Sequence, residues 1–202
     1  MKQEMLIKWS GAPLTLAGIL TAIYWLIHPD PSLTSFEAQM SSAWTVVNTI
    51  FVILIVANLF GIFGLYAKYY AKMGSLGLWA FVLCETGLAL FVALGVFSAF
   101  IVPVLARNAA TLLDPKGPLM GQSLAPVFST AGLTFAIGFV LLGVSILRLR
   151  IFPRWSGILL IIGAPVLGLS PLMPALARMI GCATYGIGHI ALGYGLWSEK
   201  ES

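Results

Sequence analysis

Residues 77–97, GLWAFVLCETGLALFVALGVF, form the stretch on which the fold depends. Its length suits one crossing of a bilayer, because a helix rises about 1.5 Å per residue and the hydrocarbon core is ~30 Å thick. Glu85 is its only charged residue. A carboxyl group at that depth has to find a partner or take up a proton. The sequence therefore predicts that other helices are arranged around Glu85.

The composition places the rest of the chain in the same environment. Hydrophobic residues make up 59% of the 202 residues and charged residues 9%, whereas a soluble domain has ~25% charged residues. A surface so poor in charge has to face lipid. At ~20 residues per crossing, the length suits a bundle of six helices joined by short loops. We expect an all-α integral membrane protein with one polytopic domain spanning residues 1–202.

Apolar runs and helix breakers predict the positions of the six helices. Gly74 separates the second helix from the third. Ser10 is a candidate N-cap of the first helix, and Thr34 with Glu37 fits a capping box that starts a helix near Ser35. The basic N-terminus shows no evident signal-peptide cleavage site, so we expect a retained first helix. The expected helices are approximately 9–27, 44–66, 75–102, 123–147, 155–169 and 175–197.

The distribution of Lys and Arg predicts the orientation. With the N-terminus inside, eight of the eleven basic residues fall in inner segments. Because cytoplasmic loops are enriched in Lys and Arg, both termini are expected in the cytoplasm. We attribute the net charge of +4 to this topological bias. The lipid bilayer is therefore the expected partner, and nucleic acid is not expected. In hydropathy outline alone the chain resembles the many small polytopic proteins of bacteria, which implies a bacterial plasma membrane.

Three polar residues on different helices fall at one predicted depth. Glu85, His189 and Asn58 each lie roughly 12–15 Å from the cytoplasmic end of their helices, and Tyr185 is one turn from His189. This pattern predicts a site that binds a proton or a small molecule, with Glu85 and His189 as a coupled pair. The alternative is that these groups only join helices through hydrogen bonds, which are worth ~1 kcal/mol each in membranes.

A weaker cluster is predicted on the outer side. His28, Arg107 and Arg178 are all placed near the outer ends of helices, where cationic groups could bind an anion. The alternative is that the two Arg side chains extend to lipid headgroups and that His28 is solvated.

The sequence lacks the motifs of several common catalytic and metal-binding sites. The sequence has no HExxH, CxxC or Walker motif, and only one acid lies within a predicted span. We therefore expect no metal site and no cofactor. Cys84 and Cys182 lie inside predicted helices and are expected to be buried thiols. No nucleophile and base meet at a common depth, so we assign no catalytic residue.

Three functional hypotheses remain. We favour a transporter-like or small-molecule-binding protein with an intramembrane polar site. A structural, sensory or accessory subunit without chemistry is the second hypothesis. An intramembrane enzyme acting on a lipid-like substrate is the third and has the least support, so an enzymatic activity is not expected. The sequence does not predict an oligomeric state.

Two short segments resemble each other. Lys8-Trp9-Ser10-Gly11 and Arg154-Trp155-Ser156-Gly157 both open helices that leave the cytoplasmic side in the predicted topology. An internal repeat would explain the likeness. The simpler explanation is a basic anchor, an interfacial Trp and a Ser cap at each helix start.

Overall fold

The computed structural model describes residues 2–29 and 35–198, with side chains from residue 5 onward, and every regular element in this part of the chain is helical. Phe97–Ile101 and Pro118–Leu124 are π-helical, and Ala110–Leu113 and Ser170–Leu172 are 3₁₀-helical. The α-helices are α1 (Lys2–Trp9), α2 (Gly11–Ile27), α3 (Phe36–Met40), α4 (Ser42–Val96), α5 (Val102–Asn108), α6 (Ala125–Leu149), α7 (Arg154–Gly168) and α8 (Ala175–Ser198).

Four segments of the described chain are long and apolar enough to cross a membrane. They are Met5–Ile27, Ser42–Asn108, Ala110–Leu149 and Ala175–Ser198. Helix α7 is apolar but shorter. The predicted all-α class is confirmed, and the bundle has the long apolar helices expected of a membrane protein.

Helix α4 contains the predicted break between the second and third helices. Gly74 has φ 59° and ψ −154° inside it, a conformation that an L side chain rarely adopts. We call residues 42–73 the first limb and residues 75–96 the second limb. Tyr66 stacks on Phe81 with 4.4 Å between ring centroids, and Phe51 meets Phe91 at 6.1 Å. Because contacts run from the turn towards both far ends, the two limbs pack antiparallel.

A π-helical bulge follows the second limb. The Val102 N–H bonds to the Phe97 carbonyl, five residues back. Pro103 has no N–H to give the next carbonyl, that of Ser98. The Trp44 indole N–H donates to the Ser98 oxygen instead, at 2.9 Å. The tryptophan thus satisfies a carbonyl left open by proline and ties the start of the first limb to the end of the second.

Of the residues predicted to cap helix N-termini, one does not do so. Ser10 does not cap a helix, so that prediction is wrong. Helix α1 already precedes Ser10, which has helical φ and ψ, and its hydroxyl donates back to the Ile7 carbonyl. At α3 the Ser35 hydroxyl accepts a hydrogen bond from the Ala38 N–H at 3.2 Å. Thr34, the other expected capping residue, lies outside the described residues.

The long helices close into a ring. Helix α2 packs on α8, α8 on α7, α7 on α6, α6 on α4, and α4 on α2. The first limb of α4 meets α2 at Gly61 and Leu14, while the second meets α6 at Gly87 and Phe135. Side chains that point inwards from α4, α6 and α8 therefore meet in the middle of the ring.

Paired glycines set the closest approaches in this ring. A Cβ atom at Gly18 would lie 2.6 Å from the Gly186 carbonyl oxygen, and one at Gly11 would lie 2.5 Å from that of Gly193. The α6–α7 contact has the same construction, with Gly132 against Gly168 and Gly143 against Gly157. Small residues let membrane helices approach backbone to backbone.

The basic residues are concentrated at one end of the ring. Tyr69 packs on Phe152 with 5.5 Å between ring centroids, which brings the turn at Gly74 beside the α6–α7 loop. Trp9 meets Trp197 at 4.8 Å, so the start of α2 and the end of α8 are adjacent. This end includes Lys8, Lys68, Lys72, Arg148, Arg150 and Arg154.

Candidate functional site

Three of the four residues predicted to form the intramembrane site meet inside the ring. Asn58 Nδ2 donates a hydrogen bond to Tyr185 Oη at 3.1 Å, which joins the first limb of α4 to α8. Tyr185 and His189 are one turn apart on α8, with ring centroids 4.0 Å apart. Asn58 and His189 are fully buried and Tyr185 is 1% exposed. We call these three residues the polar centre.

Aromatic rings from α6 enclose the polar centre. Phe139 lies 5.1 Å from the Tyr185 ring and 5.3 Å from the His189 ring, measured between centroids. Phe135 lies 5.4 Å from Tyr185. Gly163 on α7 leaves room for the Tyr185 backbone, since a Cβ atom there would lie 2.7 Å from the Tyr185 nitrogen. The three polar groups are thus held in an apolar surrounding, where unpaired polar atoms are costly.

The polar centre has acceptors that lack donors. His189 Nδ1 lies 3.1 Å from the Tyr185 carbonyl oxygen. A carbonyl only accepts, so Nδ1 carries the hydrogen in the neutral ring and Nε2 presents a lone pair. His189 Nε2 and Asn58 Oδ1 are both buried without a hydrogen-bond partner. Buried polar atoms are nearly always paired, so this arrangement suits a bound group that donates hydrogen bonds.

Glu85 lies close to this level but does not pair with His189. Its side chain is half-buried, and its Oε1 atom is buried without a hydrogen-bond partner. The nitrogen of Cys84, the preceding residue, is 2.5 Å from the Cβ position of Gly138, and the next residue of α6, Phe139, contacts His189. Glu85 is therefore level with the polar centre, while the expected hydrogen-bonded Glu85–His189 pair is absent from the described residues.

The two cysteines and the acidic residues do not assemble a metal site. Cys84 and Cys182 are free and buried. Within residues 2–29 and 35–198, no group of three or more His, Cys, Asp or Glu side chains could hold a metal ion.

The outer residues are brought together only in part. The Arg178 guanidinium lies over the Trp25 ring, 4.6 Å from its centroid. His28 packs against the same Trp25 at 4.9 Å and against Trp44 at 5.2 Å. Arg107 instead donates through Nη2 to the Met40 carbonyl at 2.7 Å. Arg178 is 5% exposed and His28 6%, so the expected solvated His28 is wrong. Its histidine ring is part of an aromatic cluster.

Sequence reasoning missed the aromatic partners of these groups. Phe135, Phe139 and Trp25 lie in apolar runs where a hydropathy pattern does not distinguish lipid-facing from inward-facing rings. Helical spacing gives one usable signal, because Phe135 and Phe139 are four residues apart and so share a face of α6, as Tyr185 and His189 do on α8.

Comparison of the chain with protein-family models, with curated proteins and with solved structures found no match in any of the three.

Proposed function

We propose that this chain is a transporter-like membrane protein that binds a proton or a small hydrogen-bond donor at the polar centre, with Glu85 beside it. The observation that carries the proposal is the pair of fully buried, unpartnered acceptors, His189 Nε2 and Asn58 Oδ1. A donor placed between them would satisfy atoms that the protein leaves open. The buried, unpartnered Glu85 Oε1 is a third such group at the same level.

We infer six membrane crossings, with both termini on the cytoplasmic side of a bacterial plasma membrane. The two antiparallel limbs of α4 support two separate crossings within the segment Ser42–Asn108. Helix α7, with 15 residues, is about 22 Å long and is continued by the turn Ser170–Leu172. The basic end of the ring supports the orientation.

A structural or accessory role is the second candidate, and the packing of the ring favours it. The polar centre is bounded by Phe135 and Phe139, and the glycine pairs hold α2 against α8 and α6 against α7. On this alternative Glu85, Asn58 and His189 contribute to helix association and nothing is bound.

Proton flux into liposomes separates the two candidates. The purified protein is reconstituted around a trapped pH-sensitive dye, and a potassium diffusion potential drives proton entry. We expect wild-type protein to acidify the lumen and the variants Glu85→Gln and His189→Gln to do so at least ~10-fold more slowly, the range typical of removing a group that transfers protons. Glu37→Gln is the matched control, because Glu37 is exposed on the short helix α3.

Proton transport at the polar centre is ruled out if wild-type protein carries no more protons than empty liposomes, or if both variants match wild type. The structural candidate predicts that outcome, together with a lower unfolding temperature in detergent for Glu85→Gln than for Glu37→Gln.

A further inference from the structure

A groove away from the polar centre opens on the basic end of the ring. It has a volume of about 600 Å³ and lies between the α6–α7 loop, the start of α7 and the second half of α8. This size is within the ~300–1,000 Å³ usual for sites that hold small molecules. Its walls are mostly apolar, with Ile151, Phe152, Trp155, Ile187, Ile190 and Tyr194 among them.

Three arginines lie within three positions, along the chain, of residues that line the groove. Arg148, Arg150 and Arg154 are exposed, and the loop that carries them has no acidic residue from position 148 to position 154. Pro153 precedes the first turn of α7 without a side-chain cap, so the positive end of that helix adds to the field. The groove thus combines mostly apolar walls with a basic segment of chain beside it.

This combination fits one class of occupant. An acyl chain matches the apolar walls, and a phosphodiester matches Arg, whose planar fork binds phosphate oxygens in pairs. Trp155 is 49% and Tyr194 68% exposed, and these residue types favour the level of lipid headgroups. Basic pockets between membrane helices on the cytoplasmic side bind anionic lipids by the same chemistry.

The backbone conformation of Arg150 is unusual for its residue type. Arg150 ends α6 with φ 56° and ψ 20°, and it is the only described non-glycine residue with positive φ. Glycine or asparagine usually occupies this position at a helix end. Arg150 keeps this unfavourable conformation at the residue before Ile151, which lines the groove.

We propose that the groove binds a phospholipid with an anionic headgroup, with an acyl chain along α8 and the phosphate held by Arg150 and Arg154. The lipid lies between α7 and α8 and bridges the loop to the end of α8. This site is separate from the polar centre and does not depend on the proposed transport function.

Native mass spectrometry of the purified protein tests the site directly. The protein is equilibrated in mild detergent with equal amounts of phosphatidylglycerol and phosphatidylcholine, and the retained lipid is counted. We expect wild-type protein to retain phosphatidylglycerol preferentially. Replacing both arginines (Arg150→Gln with Arg154→Gln) should lower that retention by roughly 10- to 30-fold. The matched control is Lys116→Gln, which removes one exposed charge from the other end of the ring and should retain phosphatidylglycerol as wild-type does.

Two further variants separate lipid binding from folding. Ala191→Trp fills the groove without changing charge and should lower retention of both lipids. Arg150→Gly relaxes the left-handed position, so its unfolding temperature should equal or exceed that of wild type while its phosphatidylglycerol retention falls. Equal retention of the two lipids by wild type, or the same loss in Lys116→Gln as in the double variant, would overturn the proposal. Unchanged retention in Ala191→Trp would place the lipid elsewhere and overturn it as well.

Discussion

The Asn58–Tyr185 hydrogen bond is a side-chain link between two helices inside the ring, and either partner can be removed by substitution. It joins the first limb of α4 to α8 at 3.1 Å in a fully buried setting. Removing one partner leaves the other unsatisfied, which costs ~1–3 kcal/mol, whereas replacing both by apolar groups is nearly neutral. The two cases give a testable difference in stability.

We expect Tyr185→Phe and Asn58→Leu each to lower the free energy of unfolding by ~1–2 kcal/mol. The double variant should be less destabilised than the sum of the two, because neither partner is then left alone. Equilibrium unfolding in detergent measures all three proteins, with Tyr70→Phe as the control, since Tyr70 is 61% exposed. Additive losses in the double variant would contradict the assigned hydrogen bond.

Rotation about the helix axis explains why the predicted Glu85–His189 pair does not form. The depth count depends only on the rise per residue, and it places Glu85 near the level of the polar centre. The direction of a side chain turns by about 100° per residue, so Cys84, which is fully buried, and Glu85, which is half-buried, face different neighbours. Hydropathy predicts how deep Glu85 lies in the membrane. It does not predict the direction in which the side chain points, because Glu85 is the only charged residue in its span and no second charge marks a face of the helix.

At the scale of single elements, the bulge at Phe97–Ile101 depends on a proline and a distant tryptophan. Trp44 donates to the Ser98 carbonyl, the group that Pro103 leaves without a backbone donor. The proline is visible in the sequence and ends the predicted third helix at residue 102. Trp44 is not predictable as the donor to the Ser98 carbonyl, because these two residues are 54 positions apart and only the reversal at Gly74 brings them together.

This arrangement predicts a compensation between two substitutions. Trp44→Phe removes the indole donor and should lower the free energy of unfolding by ~1 kcal/mol, because the Ser98 carbonyl that it leaves open is only partly buried. Adding Pro103→Ala restores a backbone N–H that reaches back to Ser98 in the π-helical pattern and should recover part of the loss. Thermal unfolding in detergent measures both, with Trp79→Phe as control because Trp79 is 61% exposed. A double variant less stable than Trp44→Phe alone would rule out the compensation.

The two similar segments at the starts of α2 and α7 also share local structure. Ser10 donates to the carbonyl of Ile7 and Ser156 to that of Pro153, three residues back in each case. Gly11 and Gly157 each face a glycine on the neighbouring antiparallel helix. The likeness seen in the sequence therefore has a common physical basis, a turn closed by the serine hydroxyl and followed by a close helix contact.

For the whole molecule, packing brings to one end of the ring most of the basic residues that the sequence count assigns to one side. The count of Lys and Arg assigns eight of eleven to the inner side. In the structure, contacts between Tyr69 and Phe152 and between Trp9 and Trp197 bring the segments that carry most of those residues to one end of the ring. Hydropathy alone does not predict this arrangement, since the order of helices around the ring comes from glycine contacts far apart in the chain.

Membrane-impermeant labelling tests the orientation. The substitutions Cys84→Ser and Cys182→Ser first remove the two free thiols. One exposed thiol is then added in each of two proteins. Lys116→Cys places it near the start of the π-helical segment before α6, and Lys72→Cys places it beside the Gly74 turn. Because basic loops stay in the cytoplasm, we expect an impermeant maleimide to label Lys116→Cys in intact bacterial cells. Lys72→Cys should react only after permeabilisation.

The two positions also distinguish six crossings from fewer. If the limbs of α4 are separate crossings, Lys72 lies on the cytoplasmic side and Lys116, one crossing later, on the opposite side. Labelling of both thiols in intact cells, or of neither, would mean that the second limb does not cross. Labelling of Lys72→Cys alone would show that the orientation is the reverse of the predicted one. The groove would then face away from the cytoplasmic leaflet, where anionic lipids are most abundant. The topology experiment therefore also constrains which leaflet supplies the proposed phospholipid.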